Sequence, residues 1–546
     1  MKKKLIITLS ILIILTLSII LFKDNKTYTE IDGIKYAITV NGTSANAFPS
    51  GNYKVDVVCS NSRAYYDKQT SKVIVEDITG TVICNVDFTS ITNSDYLNQY
   101  VIGLDNSIQG DGKLVHEIGS SINGSIIDVI KSFGSAPIYF YSTSYHNTNQ
   151  NEIGDYWSYD NNTGTFTSDP TKFTYTGNTN YYHAYFKVPE NGYYRVCYTI
   201  NKASLSYDQL TITKYNSVLR NDTYFTSVPS STSSQNNNCY SLDYLSTNDY
   251  INISEYAYNG TSAPTMSFRI EKLGSTPVDT GYRYEGANPN NYVWFNNELW
   301  RIIGVFGEER HGVANTNLVK IIRESPMGGA AWSNNSKTND WVNSGINLLL
   351  NGAYYNATTD STNCYQFGYY YDSYYHNSYQ FARQKTCDYR ATGIQENYRN
   401  MIENVTWYLG GGGANGRTNY RADNLFKYEK NYSYSGNSLS TTGKIGLMYP
   451  SDYAYAILSN DFDRSLPYGN CDLCSTKNWL SGNGYEMTIS QYTSNRELVF
   501  FTYNNGVGGG MYAYSDAVYR PVLYLNSDVY RVSGTGTLLD PYIIGM

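Results

Sequence analysis

Histidine is scarce in this 546-residue chain. There are five, His116, His146, His183, His311 and His376, and no two stand four apart or share an H-E-x-x-H pattern, which excludes a helical zinc hydrolase site. Charge is thin as well. Only 16% of residues are charged, 40 basic against 47 acidic, and a net charge of −7 without a basic stripe excludes nucleic acid as a partner. No G-x-S-x-G elbow offers a nucleophile. Two further motifs stop short. Cys471-x-x-Cys474 has the spacing of a redox pair or half a zinc site, but a βαβ context and a second ligand pair are both missing, so a local disulfide is the simpler reading. The glycine-rich run leading into Arg417-Thr418 puts arginine where a phosphate-binding loop needs lysine, and the following NYRAD does not open an apolar helix. The sequence therefore offers no catalytic set, no metal set and no cofactor motif.

Long apolar runs are confined to the amino end. Met1 to Lys4 is basic, Leu5 to Phe22 is apolar with only Thr and Ser interruptions, and a polar stretch follows. A secretory apolar region is about 7–15 residues and ends at a small-residue cleavage site, whereas a spanning helix needs about 17–25. Residues 1–27 therefore read as cytoplasmic lysines and a transmembrane signal anchor, with a cleaved signal as the alternative. The positive-inside rule then places residues 27–546 outside the cell membrane, with the membrane as partner through Leu5 to Phe22.

Cysteine usage suits that exterior. The eight fall as pairs within modules, Cys59 with Cys84, Cys197 with Cys239, Cys364 with Cys387, and Cys471 with Cys474. Four disulfides in this pairing are one arrangement among 105, and free buried thiols are the other reading.

Taken in order, the chain reads as multidomain and mainly β. Residues 28–88 hold short alternating runs (YAITV, YKVDVVC, KVIVED, TVICNVDF) and form a small disulfide-stapled β domain. Residues 89–145 read as a helical or linker segment, because Ile122, Ile126, Ile127 and Ile130 fall on one helical face. Residues 146–273 return to closely spaced strand signals, the pattern of an antiparallel β-sandwich, jelly-roll-like in its many short strands. Gly274 to Thr280, GSTPVDT, reads as a linker into residues 281–546.

That last region is organised around Gly281 to Phe306. Tyr292 to Phe295 and Glu298 to Phe306 are two strand runs separated by Asn296-Asn297, a pair suited to the positive φ angles of a two-residue hairpin. Leu318 to Arg323 follows as a strand, and Val518 to Leu525 as a late strand interrupted by Pro521. Asp340 is expected to cap a helix running through Trp341, Leu348 and Leu349 to Asn351-Gly352. Ser451 is expected to cap another after a Lys444 to Tyr449 strand, and Asn504-Asn505-Gly506 to turn a second hairpin.

The motifs YRYEGANPNNYVWFNNELWRIIGVF, WVNSGINLLLNGAYYN, TWYLGG, KIGLMYPSDYAYA, NWL, YRPVLYL and GTGTLLDPYII resemble, in that order, a C-terminal domain of surface proteins of Gram-positive gut bacteria. The likeness covers roughly residues 278–546, and that domain is distantly similar to the formylglycine-generating-enzyme branch of the C-type-lectin-like fold. The resemblance implies an α+β C-type-lectin-like domain over 281–546. It does not carry over that enzyme's oxidase activity, which uses a late pair of reactive cysteines: nothing after Cys474 is a cysteine.

One loop stands out as a binding candidate. Between Cys364 and Cys387 lies FGYYYDSYYHNSYQF, with Tyr369, Tyr371, Tyr374, Tyr375 and Tyr379 as the ligand-binding candidates beside Tyr370. Tyrosine gives rigid amphipathic contact area suited to sugar rings or protein epitopes. Against this, 59 tyrosines across the chain make tyrosine clusters common. The expected function is non-enzymatic recognition or adhesion at the cell surface, of a glycan or protein ligand. The alternatives are an extracellular polysaccharide-acting enzyme using an Asp/Glu pair and a structural envelope stalk.

Overall fold

The computed structural model describes residues 27–546 apart from 52, 68–69, 77, 79, 130–138, 143–156, 170, 172–179, 202–204, 217–220, 230–234, 246, 248, 261–264, 334–337, 373–376, 413–421, 460, 462–470, 472, 483 and 505. The expected membrane segment from Leu5 to Phe22 lies outside the described residues. Among the described residues no helix is long and apolar enough to cross a membrane. The protein is mainly β, built of several sheets. Its described residues divide into two compact units, one holding residues 27–100 with Asp528–Gly534 and Ile543–Met546, the other Val101–Ser527 with Thr535–Tyr542.

The first unit is built on the strand order Thr29–Ile31, Ile34–Val40, Ile83–Ser90, Tyr53–Cys59, with Ile34–Val40 and Ile83–Ser90 running parallel. The alternation of Ile83–Ser90 explains its role. Cys84, Val86 and Phe88 are buried while Ile83 and Asp87 are exposed, so one face meets the core and the other meets water. Phe88 gathers Phe48, Tyr53 and Tyr66 at ring distances of 5.7, 5.9 and 5.2 Å. Cys59 stands directly opposite Cys84 in the antiparallel register, Cα atoms 4.0 Å apart, and the expected bridge is present.

In the second unit two antiparallel layers face each other, the first being five strands of a 13-stranded sheet and the second a five-stranded sheet. One runs Trp157–Asp160, Thr165–Ser168, Thr265–Asn288, Gly192–Asn201, Gln235–Leu245. The other runs Tyr139–Ser142, Asn180–Lys187, Asp249–Gly260, Leu205–Asn216, Asn221–Pro229. Phe186 of the second sheet lies 5.0 Å from Phe166 and 5.3 Å from Phe268 of the first, which fixes the faces that meet. Cys197 and Cys239 are cross-strand neighbours joined as expected.

Two expectations fail beside this sandwich, for one reason. Residues 111–129 are not a helix but a strand, Asp111–Val129, and Gly274 to Thr280 is not a linker but the middle of the 24-residue strand Thr265–Asn288. The two run antiparallel from Val129 opposite Glu271 to Asp111 opposite Asn288. Isoleucines at 122, 126 and 127 suit either structure, but Gly119, Gly124 and three serines are poor helix formers, and the long partner strand Thr265–Asn288 offers a ladder along one edge instead. Ile118 and Ile126 stay exposed, as one side of a ribbon would leave them.

The rest of the unit follows the reading from sequence more closely. The Tyr292–Phe295 and Glu298–Phe306 strands form the expected hairpin, with Asn296 and Asn297 at φ 56° and 59°. Glu298–Phe306 is almost wholly buried and pairs onward with Leu318–Arg323, then Val522–Tyr524, then Ile445–Gly446. Pro521 separates Asp516–Tyr519 from Val522–Tyr524, and its carbonyl accepts from the Arg323 N–H at 3.1 Å. A second sheet takes Met327–Ala331, Asp516–Tyr519, Glu486–Gln491, Leu498–Tyr503 and Gly506–Tyr512, with the expected hairpin linking the last two.

Both helix caps differ from expectation. The first helix is Gly345–Leu349, continued by a wider turn to Tyr354, and its cap is Ser344, whose hydroxyl accepts from the Asn347 N–H at 3.2 Å. Asp340 instead takes the Asn343 amide. The second is Pro450–Tyr455, where Asp452 reaches back to the Tyr449 N–H at 2.9 Å and Ser451 is drawn inward onto Glu429.

Candidate functional site

The tyrosine-rich stretch is a two-stranded hairpin, Tyr365–Asp372 with Asn377–Gln384. Its base is held in several ways. Cys364 and Cys387 are bridged with Cα atoms 5.9 Å apart, and the Lys385 N–H donates to the Cys364 carbonyl at 2.9 Å. The Asp360 carboxylate accepts from the N–H groups of Thr362 and Asn363 at 2.6 and 2.8 Å, which sets the entry into the bridge. Tyr365 and Phe367 pack on Ala331, Ala382 and Tyr514, the Phe367 N–H donates to Asp516, and Lys385 Nζ donates to the Gly329 carbonyl at 2.8 Å. A β-hairpin alone is marginal in water, so this anchored base is what lets it project as a fixed element.

Of the five candidate tyrosines, Tyr369, Tyr371 and Tyr379 sit in these strands, opposite Gln380, Ser378 and Tyr370. Alternation gives Tyr369 and Tyr371 positions on one face and the Tyr370–Tyr379 pair positions on the other. Tyr374 and Tyr375 lie outside the described residues, at the tip.

The strongest electrostatics lie elsewhere, inside the fold. Asp452 pairs with Lys320 and, at 3.0 Å, with Arg283; Glu429 pairs with Arg310 at 2.6 Å and accepts from the Ser451 hydroxyl at 2.7 Å. All five charged side chains are buried. Aromatic rings line the cluster: Arg310 lies 3.8 Å from the Tyr449 ring centre, Lys320 4.2 Å from the same ring, and Arg283 4.6 Å from that of Phe306. Burial pushes the Lys320 ammonium down to about 7 against the opposing pull of Asp452. Burial alone would raise the Asp452 carboxyl, but Lys320, Arg283 and Arg310 outweigh it and hold it near 2. Burial raises Glu429 in spite of Arg310.

Chemically this cluster is occupied with itself. Both carboxylates of the cluster are taken by cations, as Glu486 is by Arg520 at 2.7 and 3.0 Å, and Glu271 is by Arg195 and Arg269. A polysaccharide-cleaving pair must present one protonated and one ionised carboxyl to a cleft, and buried groups fixed to arginines do not. Sequence reasoning missed the cluster. Its signals were a lysine inside the apolar run LVKIIR and an aspartate in PSD, each uninformative without the other.

The remaining candidates are structural. His311 is buried with Nε2 2.9 Å from the Phe306 carbonyl, and His116 stacks on Tyr282 at 4.2 Å, 3.1 Å from Asp279. Cys471 and Cys474 are bridged, Cα atoms 5.3 Å apart, at the start of the four-residue helix Cys474–Lys477. Cys197, Cys239 and Glu271 lie close enough for a metal, but both sulfurs are already joined to each other. The glycine-rich run opens as packing: a Cβ on Gly410 would meet the Tyr428 carbonyl at 2.4 Å, and one on Gly411 the Gln491 carbonyl at 2.1 Å. Its later residues, Arg417 included, lie outside the described residues. Compared with known proteins, the chain matches no family model and no curated sequence.

Proposed function

We propose that this chain is a cell-surface recognition protein, held in the membrane through Leu5 to Phe22, that binds a glycan or protein ligand through its tyrosine-rich hairpin. The observation that carries the reading is the hairpin's attachment. A disulfide, an Asx turn, an apolar foot and a lysine-to-carbonyl bond pin its base to the domain, while its tyrosines concentrate toward the tip. Rigid tyrosine on a fixed support is how binding surfaces gain contact area at low entropic cost.

Two finer readings of the fold belong to the same proposal. The sandwich is a jelly roll: omitting the two outermost strands, the orders Thr165–Ser168, Thr265–Asn288, Gly192–Asn201, Gln235–Leu245 and Asn180–Lys187, Asp249–Gly260, Leu205–Asn216, Asn221–Pro229 are those of two interleaved Greek keys. Residues 281–546, apart from Asp528–Gly534 and Ile543–Met546 of the first unit, form a C-type-lectin-like domain, a reading supported by the early hairpin and the late Val522–Tyr524 strand sharing one sheet. The chain's return also meets the domain's start, where the Tyr292 N–H donates to the Gly536 carbonyl at 2.9 Å.

The test is a glycan and protein array probed with residues 27–546, beside a Tyr369→Ala/Tyr371→Ala/Tyr379→Ala variant. A fragment starting at 278 would cut the Thr265–Asn288 strand. Loss of a ligand by a variant that melts like the parent supports the reading; equal binding by both removes the hairpin from it.

A further inference from the structure

The second sandwich sheet has an inner face and an outer one. Phe186, Ile212, Ile251 and Ile253 are buried and define the inner positions. Residues alternate along a strand, so the positions between them belong to the outer face. Register then brings four tyrosine pairs directly opposite one another: Tyr139 with Tyr185, Tyr181 with Tyr256, Tyr215 with Tyr250, and Tyr207 with Tyr258. Every one of these pairs occupies outer positions. The two described side chains there, Lys187 and Tyr250, are half-buried.

Between the tyrosines the outer positions carry no lysine, arginine or carboxylate; the one titratable group among them is His183, between Tyr181 and Tyr185 and opposite Ser254, and Gln209 stands opposite Tyr256. On Asp249–Gly260, Asn252 and Ser254 separate Tyr250 from Tyr256, a run of about 20 Å at strand rise. Opposite them on Leu205–Asn216 stand Thr213 and Thr211. Charge on this face is limited to Lys187 and Asp222, opposite in sign and at the same end, since they stand opposite Tyr250 and Tyr215 in one cross-strand row.

This pattern selects among ligands. Nucleic acid needs cations along the track, and a membrane surface needs an apolar or basic face. Protein hot spots also use tyrosine, but with tryptophan and arginine around an apolar centre, whereas the centre of this face is Asn252, Ser254, Thr211 and Thr213 and carries no arginine. A neutral sugar chain needs what is here: flat rings for its C–H faces, and hydroxyls and amides for its hydroxyl groups. We infer that the outer face of this sheet is a second binding site, independent of the hairpin, and that its ligand is an uncharged polysaccharide lying across the tyrosine pairs.

Affinity electrophoresis and calorimetry with the full chain in detergent test this, using a β-glucan, an α-glucan and a mannan as neutral probes and polygalacturonate as the anionic one. The expected result is retention by at least one neutral probe. Affinity for it falls about tenfold or more in Tyr250→Ala/Tyr256→Ala, the loss of well-packed aromatic contacts, and is kept in Tyr250→Phe/Tyr256→Phe. Ser254→Arg, placed mid-track, abolishes binding without removing a tyrosine, so the test survives if the alanine variant does not fold. Raising salt to about 0.5 M leaves the affinity within about twofold, because no charge pairing is involved. The hairpin variant Tyr369→Ala/Tyr371→Ala/Tyr379→Ala keeps this binding. Retention by polygalacturonate alone, strong salt dependence, binding unchanged in both Ser254→Arg and the alanine variant, or no retention on any neutral probe would overturn the inference.

Discussion

The sandwich and the region after it solve the same problem in opposite ways. Between the two sandwich sheets Phe166, Phe186 and Phe268 pack on one another. The following region instead encloses Arg283, Arg310, Lys320, Glu429 and Asp452 at its centre. Strands that alternate regularly can set an apolar row such as Phe186, Ile251, Ile253 and Ile212 against the facing sheet; a region of short strands, loops and brief helices has helix starts and chain turns in its interior that need polar partners. Asp452 shows this directly, capping a helix and neutralising two cations at once. A buried charge cluster adds little net stability over an apolar core, yet removing one member is costly, so the two halves should differ in how they fail.

The comparison breaks most visibly at Asp452. Asp452→Ala strands Lys320 and Arg283 without a counter-charge, and urea unfolding should show a loss of about 3–5 kcal/mol. In the sandwich, Phe268→Ala should cost about 3 kcal/mol through the cavity it leaves, a value a differential melting curve can rank against the first. Opening the Cys364–Cys387 bridge by Cys364→Ser/Cys387→Ser releases a loop closed over 23 residues and should cost about 2–3 kcal/mol in the hairpin region, seen as faster proteolysis there.

The pH dependence sharpens the same contrast. Lys320 sits near 7 in the fold against an ordinary 10.5, so the unfolded chain binds more protons between those values and stability rises with pH across that window; the penalty is fully present below it. Asp452, held near 2 against an ordinary 3.8, contributes stability above 3.8 that is lost as pH falls toward 2. Above pH 10 the trend reverses, because buried Tyr354 and Tyr524 keep their protons while the unfolded chain gives them up. Lys320→Met should flatten the rise above pH 7 in a stability profile. The smallest effect is expected at the rim, where Lys430→Ala removes the partner of the largely exposed Glu309 and should shift stability by less than about 0.5 kcal/mol.

The same contrast decides what could be read in advance. Asn296-Asn297 announces its hairpin because the turn chemistry is local, and Cys59 with Cys84 announces its bridge because the partner is near in sequence. The strand Asp111–Val129 was misread because its isoleucine spacing fits either period, and the true partner lies some 150 residues on. The supposed linker contained glycine, serine and proline, yet its backbone is a ladder. Lys320 cannot be recognised as buried without Asp452, 132 residues away. The tyrosine pairs of the outer sheet face are visible only once register is known, since no pair is local in the sequence.

The unbroken strand Thr265–Asn288 carries one more implication. It runs from the sandwich into the region that holds the hairpin, paired along most of its length with Asp111–Val129, so no free hinge lies between the two proposed sites along that path. Two weak sites on a stiff connector behave as a ruler. They reinforce each other only for a ligand whose repeats match their spacing, and a mismatched one gains nothing from the second contact. Selectivity at a crowded surface could then reside in distance rather than in either contact alone.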